Sequence, residues 1–397
     1  MTDPIQFVED RAIARLLRLL SVEGVTGREE AIAREVMTSL QEAGVGRRAM
    51  HFDEAHQKIP LPTQTGNLIV TLPGTRPGPR LLFSTHLDTV PLCAGAKPKR
   101  VGQRILAEGQ TALGGDNRTG VAVLVTLAAT VLERQLPHPP LTLLFTVREE
   151  SGLWGARFVE KDALGNPAYC FNVDGRDPAE LTIGAVGADR WEVEITGKAA
   201  HAGVHPERGI SATAVASLAL AEVYQGGWFG KVQQGDQTGT SNVGPFGGKE
   251  GRCAGDATNV VTDYVHIKGE CRSHDTKFIG AITSAYKSAF KNAAGLVRDK
   301  HGKTAQIKFQ ARRDYFPFRL KESAPAVKHA LAAAERIGLT AKLRHSNGGL
   351  DANWLTRNGI PTVSLGAGQN NIHSIGEYVD LRQFLDGCRL ALALAVG

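Results

Sequence analysis

Seven histidine and acidic residues stand where short apolar runs break off. Leu81-Leu82-Phe83-Ser84-Thr85 runs into His86-Leu87-Asp88 and is stopped by Pro91. Residues 141–147 end in Arg148-Glu149-Glu150, and residues 168–173 end in Asp174-Gly175. Asp116 precedes a nearly all-apolar stretch, and His373 lies in the polar segment 366–374. Residues i and i+2 of a strand share a side, so His86 and Asp88 are expected to act together. A histidine whose second nitrogen donates to a carboxylate is a common metal-ligand arrangement. Carboxylates gathered at one place cannot all stay ionised unaided, and Arg118 and Arg148 are the basic residues nearby in sequence. Two divalent cations meet that need. Mixed imidazole and carboxylate ligation suits zinc, with manganese or cobalt as alternatives. Five ligands with one shared carboxylate leave space for a water, which metal pairs about 3.5–4 Å apart turn into a nucleophile. Adjacent side chains diverge at a strand end, so of Glu149 and Glu150 one can bind metal while the other faces the water. Glu149 is the natural general base.

The surrounding sequence predicts the elements that bring these residues together. Helical spacing covers residues 5–20, and Thr26-Gly27-Arg28-Glu29 fits a capping box before a second helix that ends at Gly44. Strands are expected at 67–72, 81–84, 141–147 and 168–173, a buried helix at 121–133 and a further helical stretch at 153–161. The segment between His86 and Asp116 reads as a polar loop, and its Lys97-Pro98-Lys99-Arg100 patch as solvated. Strands alternating with helices predict an α/β domain with a mostly parallel central sheet, in which ligands bind at the carboxyl ends of the strands. From about residue 188 the pattern changes. Alternating strands at 191–196, 258–268 and 306–312, with helices at 211–224 and 276–300, predict an inserted α+β domain of β-α-β-β-α-β type. The α/β character then returns, with helices at 324–337, 350–358 and 381–395 and strands at 341–344 and 362–365. The expected division is 1–187 and 315–397 for the two parts of a catalytic domain and 188–314 for the insert.

A chain of 397 residues, 42% hydrophobic and 22% charged, is long enough for two globular domains. Its net charge of +6 is scattered, without basic residues interleaved with aromatics, so no nucleic-acid partner is expected. No stretch approaches the roughly 20 apolar residues of a membrane span. The start of the chain is acidic at Asp3, Glu9 and Asp10 where a secretory leader needs basic residues. Cys93, Cys170, Cys253, Cys271 and Cys388 form no C-x-x-C pair, the usage of a reducing compartment. A cytoplasmic location follows as an expectation. Other chemistries lack their residues: Val121 stands where a phosphate-binding loop needs lysine, and H-E-x-x-H, G-x-S-x-G and a helix-opening G-x-G-x-x-G are missing.

Ser84-Thr85-His86-Leu87-Asp88-Thr89-Val90-Pro91, Gly115-Asp116-Asn117-Arg118-Thr119-Gly120, Glu149-Glu150-Ser151-Gly152 and Val173-Asp174-Gly175 occur in the order and spacing of one family. In them the chain resembles the dinuclear zinc exopeptidases that include peptidase T, glutamate carboxypeptidase and the aminoacylases, and peptidase T above all. The resemblance implies a zinc-exopeptidase-like catalytic domain with an inserted lid of dimerisation type. It implies that Asp116 bridges two metals, that His86 and Asp174 complete one site, and that Glu150 and His373 complete the other. It makes Asp88 the residue that orients His86, and Glu149 the base. His201, in Ala199-Ala200-His201-Ala202-Gly203, matches the family's lid histidine, which polarises the scissile carbonyl or stabilises its oxyanion. Asn259 and Arg272 match substrate-binding positions, with a strand-end ion pair as the other reading of Arg272. Gly348 and Gly349 match a glycine loop that approaches the substrate backbone. The implied activity is hydrolysis of an amide bond in short peptides, as a tripeptidase or aminopeptidase, in a possible homodimer formed through the lid. A carboxypeptidase or N-acyl-amino-acid amidohydrolase is the alternative within the family, and a metal-binding scaffold that has lost catalysis the alternative outside it. Asp116-Asn117-Arg118 departs from the Asp-Asp-Lys of peptidase T, and the segment around His373 also diverges.

Overall fold

A computed structural model of the chain describes residues 6–397. The chain divides into two units. The first comprises the chain up to Ala185, then Phe318–Ser346 and Leu350–Gly397; the second is Val186–Pro317 with Asn347–Gly349.

The first unit is built on a nine-stranded sheet. Leu81–His86 lies between Leu141–Thr146 and Tyr169–Val173, parallel to both, and Thr362–Leu365 continues the parallel run beside Tyr169–Val173. Leu68–Leu72 and Met50–Phe52 extend one side antiparallel. Glu180–Ala185 lies beyond Thr362–Leu365 and carries Phe318–Arg319 and Lys342–Ser346. All six residues of Leu81–His86 are buried, because both faces of the sheet are covered. Alternate side chains go to opposite faces: Leu81, Phe83, Leu143, Phe145 and Phe171 join the main core, whereas Leu82, Leu144 and Cys170 join a smaller one with Leu355 and Ile360. The helix Gly115–Glu133 is buried along nearly its whole length. It packs between strand Leu81–His86 and the helices Glu9–Leu20 and Leu381–Val396. Gly120 lets it come this close, since a β-carbon there would overlap Thr85 Oγ1, the Val173 carbonyl and Asn117 Oδ1.

The second unit has a five-stranded antiparallel sheet in the order Gly230–Gln234, Gln237–Gly247, Tyr264–Ser273, Gly187–Thr196, Gln306–Tyr315. Helices Ala212–Gln225 and Thr276–Leu296 cover one face, their starts fixed by Ser211 accepting from the Ala214 amide and Asp275 from the Phe278 amide. Trp191, Val193, Ile195, Val265, Ile267 and Cys271 point to those helices. The intervening residues form ladders such as His266–Glu194–Lys308 on the other face.

Several expectations are corrected. The first helix is Glu9–Leu20, and Ile5, with which it was expected to open, lies outside the described residues. The capping box does not form: Glu29 is buried, with its Oε1 accepting from the Gly27 amide at 2.6 Å and the Arg148 amide at 3.1 Å, and the helix Glu30–Glu42 has no side-chain cap. The supposed loop after His86 contains a hairpin, Lys97–Val101 with Arg104–Glu108, turned at Gly102. Its first strand is nearly all exposed, so no apolar alternation marks it. Gly230–Gln234 and Gln237–Gly247 are likewise polar and glycine-containing, and they add a strand to the expected β-α-β-β-α-β order.

Gly120→Ala is expected to destabilise the protein by roughly 1–3 kcal/mol in urea unfolding, through overpacking of the central helix on the sheet. An unchanged midpoint would contradict this packing.

Candidate metal centre

Three parallel strands end on one edge, and the chemistry hangs from their carboxyl ends. His86 is the last residue of its strand, Glu149 and Glu150 follow Leu141–Thr146, and Asp174 follows Tyr169–Val173. Asp116 sits at the entry to the central helix, where its own backbone and that of Asn117 are still non-helical and the peptide between them is cis. His373 comes from the hairpin formed by Gln369–Asn370 and Tyr378–Asp380. That hairpin pairs with Arg104–Glu108 in a four-stranded sheet, so the unforeseen hairpin supports the segment that carries His373.

His86, Asp116 and Asp174 form one group with ligand atoms within 4.8 Å of each other, and Asp116, Glu150 and His373 form a second. Asp116 belongs to both and turns one oxygen to each. Its Oδ1 is 3.1 Å from His86 Nε2 and its Oδ2 3.3 Å from His373 Nε2. His86 Nε2 is 3.9 Å from Asp174 Oδ1, and His373 Nε2 is 3.0 Å from Glu150 Oε1. Each group combines one imidazole with two carboxylates. That donor set fits a divalent zinc, manganese or cobalt ion.

The electrostatics point the same way. Burial pushes Glu150 up to about 7 and Asp174 up to about 6, and it pushes Glu149 well above the usual carboxylate range. Burial alone would lower His86, but Asp116 and Asp88 outweigh it and hold the imidazole well above its ordinary value. Asp116 and Glu150 raise His373 to about 10. Burial also works against ionised Asp116, yet the two imidazoles hold it below the ordinary aspartate value. The histidines thus act as the cations of a pocket rich in carboxylates, a place that metal ions can take.

Asp88 holds its neighbours in two ways. Strand Leu81–His86 stops before it, so the expected same-side strand pair is not what connects it to His86. His86 Nδ1 lies 3.0 Å from the Asp88 carbonyl oxygen and 3.4 Å from its Oδ1. A proton on Nδ1 leaves Nε2 with its lone pair free, facing Asp116. The Asp88 carboxylate accepts from the amides of Glu149 at 2.9 Å and Glu150 at 3.1 Å, fixing the backbone that presents both glutamates. The Glu149 carboxylate has no hydrogen-bond partner among the described residues.

Four residues that the sequence alone does not place at this edge support the frame. Glu377 is buried and accepts from the amides of Leu113 (2.8 Å), Gly114 (2.8 Å) and Asp116 (3.0 Å), clamping the turn that presents Asp116. Gln369 donates from Nε2 to Asp116 Oδ1 at 3.3 Å and Asp174 Oδ1 at 3.2 Å. Asp351 is buried with one oxygen on Thr146 Oγ1 and the other unpartnered, and burial raises it to about 7. Glu29 is the fourth. Arg118 is buried and donates to the carbonyls of Leu87 and Val22, while Arg148 turns its guanidinium to Pro62, Thr63 and Ser151.

His201, Asn259, Arg272, Gly348 and Gly349 all belong to the second unit. His201 Nδ1 accepts from the amides of Gly203 and Val204, both at 3.2 Å, which leaves the proton on Nε2. The Ala202 amide donates to the Asn259 carbonyl at 2.8 Å, so the segments of His201 and Asn259 adjoin. Arg272 forks onto Glu270, Nε to Oε1 at 2.8 Å and Nη2 to Oε2 at 3.1 Å.

The sequence profile of peptidase family M20/M25/M40 matches residues 82–396. The protein YqjE of Bacillus subtilis strain 168 is 30% identical over 387 residues, 97% of this chain and 98% of that one. The crystal structure of an aminopeptidase, PepT, from Bacillus cereus is similar with a TM-score of 0.83 and 30% identity, covering 98% of both chains. That of a tripeptidase from Staphylococcus aureus is similar with a TM-score of 0.87 and 28% identity, again over 98% of both.

Two measurements follow from the charges. His86 and His373 must be neutral to ligate, so zinc loading at about pH 7.5 is expected to release on the order of two protons per chain. Calorimetry in buffers of differing ionisation enthalpy counts them, and no release would contradict the ligand set. Glu29 is held up at about 7 against an ordinary 4.5, by burial first and then by Asp88. Stability present below pH 4.5 is therefore lost as pH rises through about 7. Glu29→Gln keeps an oxygen acceptor and removes that loss. In urea unfolding of the metal-free protein, its stability relative to wild type should improve by on the order of 1–3 kcal/mol between about pH 5 and 8.

Proposed function

The chain belongs to peptidase family M20/M25/M40, and we propose that this metallopeptidase is an aminopeptidase of the tripeptidase kind, with zinc as its metal. The observation that carries the reading is Asp116, which presents one carboxylate oxygen to each of two histidine-carboxylate groups while Glu149 stands beside them without a hydrogen bond. Aminopeptidase and tripeptidase activities are those of the two similar crystal structures, and they support the same substrate class here.

His86, Asp116 and Asp174 would hold one divalent ion and Asp116, Glu150 and His373 a second, and the pair would supply Lewis-acid polarisation and acidify a water. The remaining work falls to side chains. Glu149 takes the water's proton on its free carboxylate and returns it to the leaving amine nitrogen. Burial, which raises its pKa well above the ordinary carboxylate value, favours its holding that proton between the two transfers. Asp88 keeps Glu149 and Glu150 in register through their amides. His201, with its proton on Nε2, is the donor for the oxyanion. Asn259, Gly348 and Gly349 bind the substrate backbone. Arg272 has its Nε and Nη2 already engaged by Glu270, which leaves Nη1 to bind the substrate. The second unit acts as the family's lid and dimerisation domain, in a cytoplasmic homodimer. Among the described residues no helix is long and apolar enough to cross a membrane.

Glu149→Gln is expected to keep its metal, read by elemental analysis, while kcat falls by about 10²–10⁴-fold. Full turnover in that variant would sink the assignment of the base. On a panel of free-amine tripeptides against N-acetylated amino acids, turnover should be confined to the former and abolished by a chelator. Preference for the acetylated compounds would instead place the protein among the amidohydrolases.

A further inference from the structure

Tyr315 is 4% exposed, and its hydroxyl, which meets no hydrogen-bond partner among the described residues, is not sealed from solvent. Its position follows from the sheet. Strand Gln306–Tyr315 changes register between Arg313 and Tyr315, which places Tyr315 opposite Ala188. Arg272 lies opposite the same Ala188 from the other side. Residues in one cross-strand row point the same way, and the two outer backbones are about 9–10 Å apart. Ala188 has no side chain beyond Cβ to separate them, so a phenol and a guanidinium can converge above it.

A second segment reaches the same ring. A β-carbon on Gly349 would lie 2.6 Å from Tyr315 Cζ and 2.9 Å from its Oη. The glycine is thus needed by the tyrosine, which gives Gly349 a role apart from any approach to substrate. Tyr315 therefore joins two stretches read as substrate-binding, Arg272 and Gly348-Gly349, that are far apart in sequence. On the same row the Arg272 fork has Nη1 unused by Glu270. Two donors facing one spot call for an oxygen acceptor. Burial raises the Tyr315 pKa, keeping the phenol a neutral donor.

We propose that Tyr315 is a further substrate-binding residue, whose hydroxyl donates, beside Arg272, to the C-terminal carboxylate of the peptide. The proposal rests on the reading of Arg272 as a substrate contact.

The test is Tyr315→Phe, which keeps the ring against Gly349 and removes only the oxygen, with Arg272→Met as reference. Each is assayed with one tripeptide as free acid and as C-terminal amide, and its thermal midpoint is recorded. For the free acid, Tyr315→Phe should raise KM about tenfold, the scale of one hydrogen bond to a charged oxygen, with little change in kcat or midpoint. The preference for acid over amide should shrink by the same factor. If Arg272→Met raises KM and Tyr315→Phe does not, the inference falls and the reading of Arg272 stands. If neither moves KM, both fall, as they do if the wild-type protein turns over no tripeptide. A lowered midpoint with KM unchanged makes Tyr315 a packing residue only and overturns the proposal.

Discussion

Buried negative charge is the constraint on which the first unit depends. Asp88, Asp116, Glu149, Glu150, Asp174, Asp351, Glu377 and Glu29 are all drawn to one region at the carboxyl ends of the parallel strands, and most of them are out of water. Two kinds of partner make this tolerable. Backbone amides serve the carboxylates that organise the frame: those of Leu113, Gly114 and Asp116 serve Glu377, those of Glu149 and Glu150 serve Asp88, and those of Gly27 and Arg148 serve Glu29. The imidazoles of His86 and His373 serve Asp116, Asp174 and Glu150, where they hold the place of metal. The division separates the carboxylates that build the frame from those that face the two histidines.

The second unit manages charge by another route. Its outer sheet face pairs opposite charges across strands, as in Arg190 with Glu270 at 3.6 Å and Lys308 with Glu194 at 2.7 Å. These groups are partly exposed, so solvent screens the pairs and they set geometry more than stability. The buried face is aromatic and aliphatic, with Trp191 packed between Tyr286 and Phe309. A polar face over such a core suits a domain that handles a polar ligand.

The parts of this architecture that are legible in sequence share one property, continuous apolar runs. Leu81–His86, Leu141–Thr146 and Gly115–Glu133 are buried on all sides and so stand out as runs of hydrophobic residues. The residues at their ends stand out with them. The hairpin Lys97–Glu108 and the strands Gly230–Gln234 and Gln237–Gly247 escape such a reading because they expose most of what they carry. Glu377 and Gln369 are invisible for a different reason. Their partners are backbone amides and carboxylates from segments more than 190 residues away, and nothing local marks such a contact. Glu29 is easily mistaken for part of a cap because three-residue spacing after Thr26 is shared by helix caps and by turns that bury an acid.

The hairpin of Gln369–Asn370 and Tyr378–Asp380 carries Gln369, His373 and Glu377 together, and its position in the chain has a consequence for biosynthesis. All three are translated after the parallel strands that supply His86, Glu149, Glu150 and Asp174. Until they emerge, the chain lacks both the clamp on the Asp116 turn and one histidine of the site. The site is therefore completed only with the last part of the chain, together with the strand Thr362–Leu365 and the helix Leu381–Val396 that finish the same fold.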